Sequence, residues 1–210
     1  MTNKVVDLED DLRNIVLDKL QDDTTPILSY IHDACYIIQA YAPTFMSEYC
    51  AVAVHDAEEG GLARHTCKVI SMLYGGTTGT RFYSKLINQV DLPSLIVGCI
   101  LHDVGKTLEY NQGKKSNHGY VPHTLSGIEF VAQFKETIIK AYGPDSYLRI
   151  LSIIGQHHGD FGEKPQTIEA YLVHLADYQE TKLQILEEAI AKGKEDGEPF
   201  TGKYLPYKLY

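Results

Sequence analysis

The stretch of the chain that decides the fold is DLPSLIVGCILHDVGK, residues 91–106. Asp91 is a good helix cap, and Pro93 is tolerated in a first turn. The helix that follows is apolar on every side, so we expect it to lie at the centre of the molecule. It delivers the pair His102-Asp103 into the core, where an ionised carboxylate is strongly unfavourable unless it is paired or bound to a metal.

The rest of the chain is patterned for helices as well. Apolar residues recur at helical spacing and predict helices over residues 5–21, 27–41, 44–57, 62–74, 124–141, 145–156 and 167–191. No alternation of period two is long enough to predict a strand. GGTTGT at 75–80 lacks the Gly-Lys-Ser/Thr ending of a phosphate loop, so a plain connection is predicted there. We therefore predict an all-α protein. Its tail carries tyrosines at 204, 207 and 210, which we expect to pack onto the body.

Composition narrows the classes of function. At 210 residues the chain can build one domain with a substantial core, and no repeat or interior linker divides it. A net charge of −9 disfavours a broad grip on a nucleic-acid backbone, which needs clustered Lys and Arg. No run approaches the ~18 apolar residues of a membrane span, and the acidic start MTNKVVDLEDDL lacks the basic-then-apolar pattern of a signal peptide. Four cysteines without a CxxC pair fit buried free thiols, so we expect a cytoplasmic protein without membrane contact.

A row of histidines and aspartates is the chemical signal in this chain. It runs in the order His65, His102, Asp103, His123, His157, His158 and Asp177. Taken alone, each could be a packed histidine or a solvated aspartate; Asp177, for example, lies beside the predicted apolar stripe of its helix, which includes Leu183. His-Asp pairs also occur at 32–33 and 55–56, so the dipeptide by itself is a weak signal. Only the pair at 102–103 follows an apolar helix and precedes Val-Gly-Lys, which favours a buried metal site.

This order resembles that of the HD superfamily of metal-dependent phosphohydrolases. The superfamily signature of His, His-Asp and Asp falls on His65, His102, Asp103 and Asp177. Similarity to the C-terminal catalytic domain of bacterial 3′-to-5′ exoribonucleases rests on GGLARHT at 60–66, ILHDVGK at 100–106, HHGDFGEKPQTIEA at 157–170 and HLAD at 174–177. Those exoribonucleases also carry an N-terminal nucleic-acid-binding barrel, for which we find no room in this chain. Their substrate therefore transfers less well than their chemistry.

The resemblance implies an HD-domain helical bundle with its core over about 50–190, a helical extension before it and the tyrosine-rich tail after it. It also implies one or two divalent metal ions. The expected ligands of the first ion are His65, His102, Asp103 and Asp177. Those of the second are His123, His157 and His158, with Asp103 as a bridge. If a single ion binds, these last imidazoles could instead donate to a phosphate or act as general acids. Such ligands suit Mn²⁺, Fe²⁺, Co²⁺, Ni²⁺ or Zn²⁺ better than Mg²⁺.

The same resemblance implies roles in catalysis and binding. Water activated by the metal would attack phosphorus, with Asp103, Lys106 and His123 as the catalytic residues. Lys106 is expected to supply a cation for the developing phosphoryl charge. Substrate is expected to contact Lys106, His55 and Arg64. The expected partner is a nucleotide or a short single-stranded nucleic acid, and the sequence is compatible with a homo-oligomer.

Three classes of function remain open on the sequence. The first is a phosphodiesterase or nuclease. The second, a nucleotide phosphohydrolase, shares with it metal-dependent hydrolysis at phosphorus, and this shared chemistry is our prediction. The third is a di-iron oxygenase, because some HD-fold oxygenases use four histidines and two aspartates and share the His-Asp-x-Gly-Lys motif. A non-catalytic nucleotide-binding module is a further alternative.

Overall fold

The computed structural model describes residues 7–19, 25–51, 56–74, 86, 89–196, 200–202 and 205–209. Its α-helices are α1 Leu8–Lys19, α2 Thr25–Tyr41, α3 Gly61–Leu73, α4 Leu92–Leu101, α5 Lys106–Glu109, α6 His123–Ala132, α7 Lys135–Tyr142, α8 Pro144–Gln156 and α9 Ile168–Asp196. Short 3₁₀ turns span Pro43–Met46 and Gly159–Phe161. The strands pair antiparallel, β1 Tyr110–Asn111 with β2 Lys114–Lys115 and β3 Phe200–Gly202 with β4 Leu205–Leu209. The predicted all-α fold is confirmed.

Helix α4 lies at the centre of the molecule, as its all-round apolar sequence predicts. Asp91 precedes it in an extended conformation, and its side chain accepts a hydrogen bond from the Ser94 amide at 3.1 Å. From that serine onward every residue of the helix is buried, with α2 and α8 packed against it. Gly98 permits the close approach of α8, because a Cβ there would lie 2.4 Å from Ile153 Cδ1. The end of α4 therefore carries its His-Asp pair into the middle of the bundle.

Helices α3, α8 and α9 carry most of the other candidate site residues around the end of α4. Helix α9 packs on α3, α8 and α4, and α8 also contacts α6 and α7. On α3, the spacing of Leu62, His65 and Val69 predicts one shared inward face, and all three are buried. Residues that lie far apart in the chain are thereby brought to one place.

The inward flank of α9 differs from the predicted stripe. Leu183, which was assigned to that stripe, is exposed, whereas Ala170, Val173 and Ala176 are buried. Small side chains let α9 lie close to its neighbours, and the flank that they define is the one that carries Asp177. The prediction was wrong because it ranked the flanks by the size of their apolar residues.

The helix predicted over 44–57 is wrong in its described part. A 3₁₀ turn covers Pro43–Met46 and no helix follows it there, while residues 52–55 lie outside the described chain. The buried Glu48 carboxylate accepts the backbone N–H of Gly113 at 3.1 Å and so ties this segment to the turn between β1 and β2. A contact over such a distance in sequence leaves no trace in local periodicity.

The helix predicted over 124–141 is divided into α6 and α7. The amide of Phe134 donates to the Val131 carbonyl at 3.0 Å, three residues back, in place of an α-helical bond. Its ring packs edge-on against Tyr41 of α2, with centroids 4.8 Å apart. Packing against α2 therefore accompanies the break. Helix α9 also runs farther than predicted, to Asp196.

The predictions about the tail, the cysteines and the domain division are tested only in part by the described residues. The β3–β4 pair of the tail packs against α9. The predicted packing of tyrosines 204, 207 and 210 onto the body and the GGTTGT connection lie outside the described residues and side chains. The four cysteines form no disulfide. Among the described residues, no helix combines the length and apolar character needed to cross a membrane. The division into a single domain with two extensions stays a prediction.

Candidate metal centre

The centre of the site is Asp103, a buried carboxylate whose two oxygens face different histidines. Its Oδ2 atom lies 3.3 Å from His102 Nε2 and 3.6 Å from His65 Nε2. Its Oδ1 atom lies 3.4 Å from His123 Nε2 and 3.5 Å from His157 Nε2. Asp103 therefore stands between two sets of candidate ligands, which we call the α3 set and the α6 set after the helices that carry His65 and His123.

The α3 set consists of His65, His102 and Asp177. His65 Nε2 lies 3.1 Å from Asp177 Oδ1, and one ligand atom of each member lies within 4.8 Å of the others. Asp177 reaches this place because the small-residue flank of α9 faces inward. Burial alone would raise the pKa of Asp177, but His65 and His102 hold it well below its usual range. The carboxylate is therefore ionised, as a metal ligand must be.

The α6 set consists of His123, His157 and His158. Their ligand nitrogens also lie within 4.8 Å of one another, and the Nε2 atoms of His123 and His158 are only 2.8 Å apart. Two imidazole nitrogens at that distance must share a proton or a cation. Burial and the neighbouring His157 lower the pKa of His158 to about 4, so its ring is neutral at physiological pH.

Backbone carbonyls orient two of these rings. His102 Nδ1 lies 2.6 Å from the Cys99 carbonyl, and His157 Nδ1 lies 2.9 Å from the Ile154 carbonyl. Because a carbonyl only accepts, Nδ1 carries a proton in both rings, and Nε2 is the ring atom that faces Asp103. In the described structure, the buried atoms His102 Nε2, His157 Nε2 and Asp103 Oδ1 have no hydrogen-bond partner. Such atoms are rare, and converging acceptors fit a bound cation.

Two buried glutamates that the sequence analysis missed hold the other rings. His65 Nδ1 donates to Glu180 Oε2 at 2.9 Å, and His123 Nδ1 donates to Glu109 Oε2 at 2.6 Å. A carboxylate that accepts from the far nitrogen fixes the ring and makes the near nitrogen a better ligand. Glu180 stands three residues after Asp177, and Glu109 three after Lys106. That helical spacing is a local signal that marks both as candidates, but it does not distinguish them from solvated glutamates.

His174 also supports the site through an outer contact. Its Nδ1 atom donates to the His157 carbonyl at 2.8 Å, which agrees with the supporting role that its position one turn before Asp177 allows. Its ring also fills the space beside Gly159, where a Cβ would lie 2.3 Å from His174 Cε1. Gly159 has a φ of 55°, so the turn after His158 needs glycine for two reasons.

Lys106 supplies the positive charge of the site. Its Nζ atom lies 2.6 Å from Asp103 Oδ2 and 3.4 Å from the sulfur of Cys50, and the side chain is almost completely buried. Burial alone would lower the pKa of Lys106, but Asp103 raises it above its usual value. Burial alone would raise the pKa of Asp103, but Lys106 and His102 hold it well below its usual range. Both groups therefore stay charged at neutral pH.

A cavity of about 170 Å³ opens beside the two sets. Its inner wall is formed by Asp103, Lys106, His157, His158 and Asp177. Its outer wall is formed by Phe161, His174, Tyr178, Thr181 and Lys182. A larger depression of about 500 Å³ lies on the side of His123 and Glu109. Asp103, Asp177 and the three histidines of the α6 set therefore line open space beside the site.

Residues 62–182, more than half of the chain, match the sequence model of the HD domain family. The chain belongs to the HD domain family. The matched segment contains every predicted metal ligand of both sets. HD domains bind divalent metals, and the histidine and aspartate clusters described above can hold one.

Curated relatives carry names of phosphoester chemistry. A dihydroneopterin 2′,3′-cyclic phosphate phosphodiesterase from Methanocaldococcus jannaschii is 28% identical over 131 residues, which cover 61% of this chain and 49% of the relative. The 3′-5′ exoribonuclease YhaM of Oceanobacillus iheyensis is 28% identical over 166 residues, or 74% and 49%. That of Bacillus subtilis is 26% identical over 165 residues, or 76% and 50%. The chain spans about half the length of these relatives. No solved structure matches it significantly.

Of the predicted substrate contacts His55 and Arg64, the structure describes only Arg64, which does not join the HD-domain site. Arg64 lies one residue from His65 but points away, and its guanidinium bonds to Glu58 Oε1 at 2.7 Å and to the Glu59 carbonyl at 3.0 Å. It is not among the residues that line the cavity beside the ligand sets. His55 lies outside the described residues.

Proposed function

We propose that this HD domain is a metal-dependent phosphohydrolase that cleaves a phosphoester bond in a nucleotide or a short nucleic acid. The observation that carries the proposal is the position of Asp103, whose two oxygens each face a separate set of imidazoles. Family membership supports it, as do the names of relatives that are a cyclic phosphate phosphodiesterase and an exoribonuclease.

The α3 set with Asp103 would hold one ion, and the α6 set with Asp103 would hold a second. Imidazole and carboxylate donors in this proportion suit Mn²⁺, Fe²⁺, Co²⁺, Ni²⁺ or Zn²⁺. Such ions, when bound, polarise a phosphoryl oxygen and make a water molecule acidic enough to attack phosphorus near neutral pH. The remaining roles in the proposed mechanism belong to side chains of this protein.

Lys106 is the group that we propose to stabilise charge on the phosphoryl oxygens. Its ammonium lies on the inner wall of the cavity, and its buried pairing with Asp103 keeps it protonated. A cation with little access to water interacts more strongly with a developing negative charge than a solvated one does. The Lys106 ammonium is also restricted in its motion, because it contacts both Asp103 and Cys50.

His123 fits a metal ligand better than a proton donor. Glu109 accepts its Nδ1 proton, so its Nε2 atom presents a lone pair. That atom lies 3.4 Å from Asp103 Oδ1 and close to the neutral ring of His158. Acceptors that converge in this way are stabilised by a cation between them. A role as general acid, the alternative for a single-ion site, would require a second proton on His123.

The test is metal analysis of the purified protein followed by an activity screen. The protein is stripped with chelator, reloaded with each candidate ion, and assayed on nucleotides, cyclic dinucleotides and short oligonucleotides. We expect at least one equivalent of metal, and metal-dependent release of phosphate or nucleotide. His102→Ala is expected to lose both. The matched control is His32→Ala, because His32 belongs to another His-Asp pair and is exposed.

Other outcomes would select the alternatives. Oxygen consumption with a di-iron EPR signal, and no hydrolysis, would select an oxygenase. Nucleotide binding without turnover under any metal would select a binding module. Metal below one equivalent, together with activity that survives His102→Ala, would refute the proposed centre.

A further inference from the structure

We propose that Phe161 and Tyr178 form a stacking surface for the heterocyclic base of the substrate, next to the metal centre. The inference deepens the proposed function, because it assigns the part of the substrate that the metal ligands do not bind. Phe161 ends the 3₁₀ turn that follows His158, and Tyr178 follows Asp177 directly. Each aromatic ring is thus attached to the same short segment of backbone as a candidate ligand.

The two rings are neighbours in the lining of the cavity. Phe161 and Tyr178 both line it together with Asp103 and Lys106. Their ring centroids are 6.4 Å apart and their planes differ by 17°, so they present nearly parallel faces. Parallel faces of this kind are what a flat heterocycle needs on its partner.

Folding does not account for the position of Phe161. Its side chain is 76% exposed, although phenylalanine is among the residues that gain most from burial. The turn that carries Phe161 is held in place by two contacts. The His174 ring packs against Gly159, and the Phe161 amide donates to the His158 carbonyl at 3.1 Å. An apolar ring left this exposed in the lining of a cavity that also contains Asp103 and Lys106 is therefore explained better by a ligand than by packing.

The charges around the rings indicate a nucleotide as the occupant. Lys106 stands on the inner wall, and the ammonium of Lys182 lies 5.2 Å from the centre of the Tyr178 ring. The cavity thus offers cations for an anionic group and, beside them, flat apolar faces for an uncharged one. A phosphorylated sugar would leave the rings in water, whereas a nucleotide would cover them. An aromatic face can stack with any base. We therefore expect the protein to bind ligands with a base more tightly than ligands without one, and to discriminate little among the bases.

The experiment compares adenosine 5′-monophosphate with ribose 5-phosphate, which lacks only the base. Their dissociation constants are measured by calorimetry on the metal-loaded full chain, and released phosphate is monitored so that turnover is recorded separately. We expect wild type to bind the nucleotide roughly 10-fold or more tightly, within the range of a single base–aromatic stack. Equal affinity for the two ligands, or no detectable binding of either, would overturn the proposal.

Substitutions identify the surface. Phe161→Leu should remove most of the preference for the nucleotide and leave the affinity for ribose 5-phosphate unchanged, while Phe161→Tyr should restore the preference. Tyr178→Leu should weaken it less, because Tyr178 is the less exposed ring. The control is Tyr36→Leu, an exposed tyrosine of α2 that does not line the cavity. A preference that survives Phe161→Leu would refute the assignment.

The two proposals can fail separately. If nucleotides and oligonucleotides are hydrolysed but the base adds no affinity, the phosphohydrolase stands and the stacking surface is wrong. If the base adds affinity through Phe161 but no substrate is hydrolysed under any metal, the stacking surface stands and the hydrolytic function is wrong.

Discussion

Two His-Asp pairs in this chain have the same letters and different surroundings. His102-Asp103 ends the central helix α4, is buried, and meets imidazoles from α3, α6 and the end of α8. His32-Asp33 lies within α2, where the His32 side chain is 60% exposed and bonds to Glu9 at 3.1 Å. Asp33 accepts a hydrogen bond from the Tyr142 hydroxyl. The dipeptide therefore carries no function by itself. Whether it can hold a metal depends on its burial and on the groups that converge on it.

The largest effect is expected from removing the charge of the two aspartates in turn. Asp103→Asn keeps the shape of the side chain but takes the carboxylate from both imidazole sets. Turnover should fall by more than about 100-fold, beyond the usual loss for a supporting contact alone, and bound metal should fall with it. Asp33→Asn should change neither. Steady-state kinetics with metal analysis checks this, and equal losses in the two variants would remove the distinction between the pairs.

Metal removal should lower the stability only of proteins that keep the buried His102-Asp103 pair. An ion present at 100 times its dissociation constant stabilises the fold by about 2.7 kcal/mol, and each kcal/mol moves the Tm of a chain of this size by roughly 2–4 °C. We therefore expect chelator to lower the Tm of wild type and of His32→Ala by several degrees. In His102→Ala the shift should nearly vanish. Differential scanning calorimetry with and without chelator measures it, and a shift retained in His102→Ala would place the metal elsewhere.

In the metal centre and on the surface alike, a glutamate accepts a hydrogen bond from a histidine. Glu109 accepts from His123 in the site, and Glu9 accepts from His32 on the surface. Glu109→Gln should weaken metal affinity by roughly 10- to 100-fold, because the ring loses the partner that orients it. Glu9→Gln should leave metal affinity at the wild-type value. Titration of metal into the stripped proteins distinguishes the two, and identical curves would show that Glu109 does not position His123.

The smallest effect is a change in acid sensitivity of the metal-free protein. Burial alone would raise the pKa of Glu109, but hydrogen bonds from His123 and Lys115 lower it to about 2, below its ordinary 4.5. Because the folded state then binds this proton less tightly than the unfolded chain, Glu109 contributes stability above about pH 4.5 that is lost as pH falls toward 2. Glu109→Gln and Lys115→Met should both flatten the fall in unfolding free energy over that window. Urea unfolding at a series of pH values tests this; unchanged curves in both would contradict it.

Much of the candidate site could be read from the chain because its signals are local. Asp91, Pro93 and the apolar run after them predict a buried helix, and any polar residue at the end of such a helix must find a partner. His65 could be assigned to an inward face from Leu62 and Val69 alone. The order of the histidines and aspartates supplied the family resemblance, and the match to the HD domain family agrees with it.

What the sequence missed depends on contacts between distant elements. The break at Phe134 and the non-helical segment after Met46 are accompanied by contacts with Tyr41 and Gly113, which lie far away in the chain. Glu109 and Glu180 could not be separated from solvated glutamates before α6 and α3 were known to lie beside them. The same holds for Phe161, whose sequence neighbours say nothing about its exposure.

By itself, the sequence determined the helical class, the central position of α4 and the set of side chains able to bind a metal, because periodicity and residue chemistry act over a few residues. Only the tertiary structure decided that Asp103 divides its two oxygens between two sets of imidazoles, that the small-residue flank of α9 turns Asp177 inward, and that Phe161 stands open beside Tyr178. These facts depend on how helices pack across the bundle, and the relative position of two helices is encoded in neither of them alone.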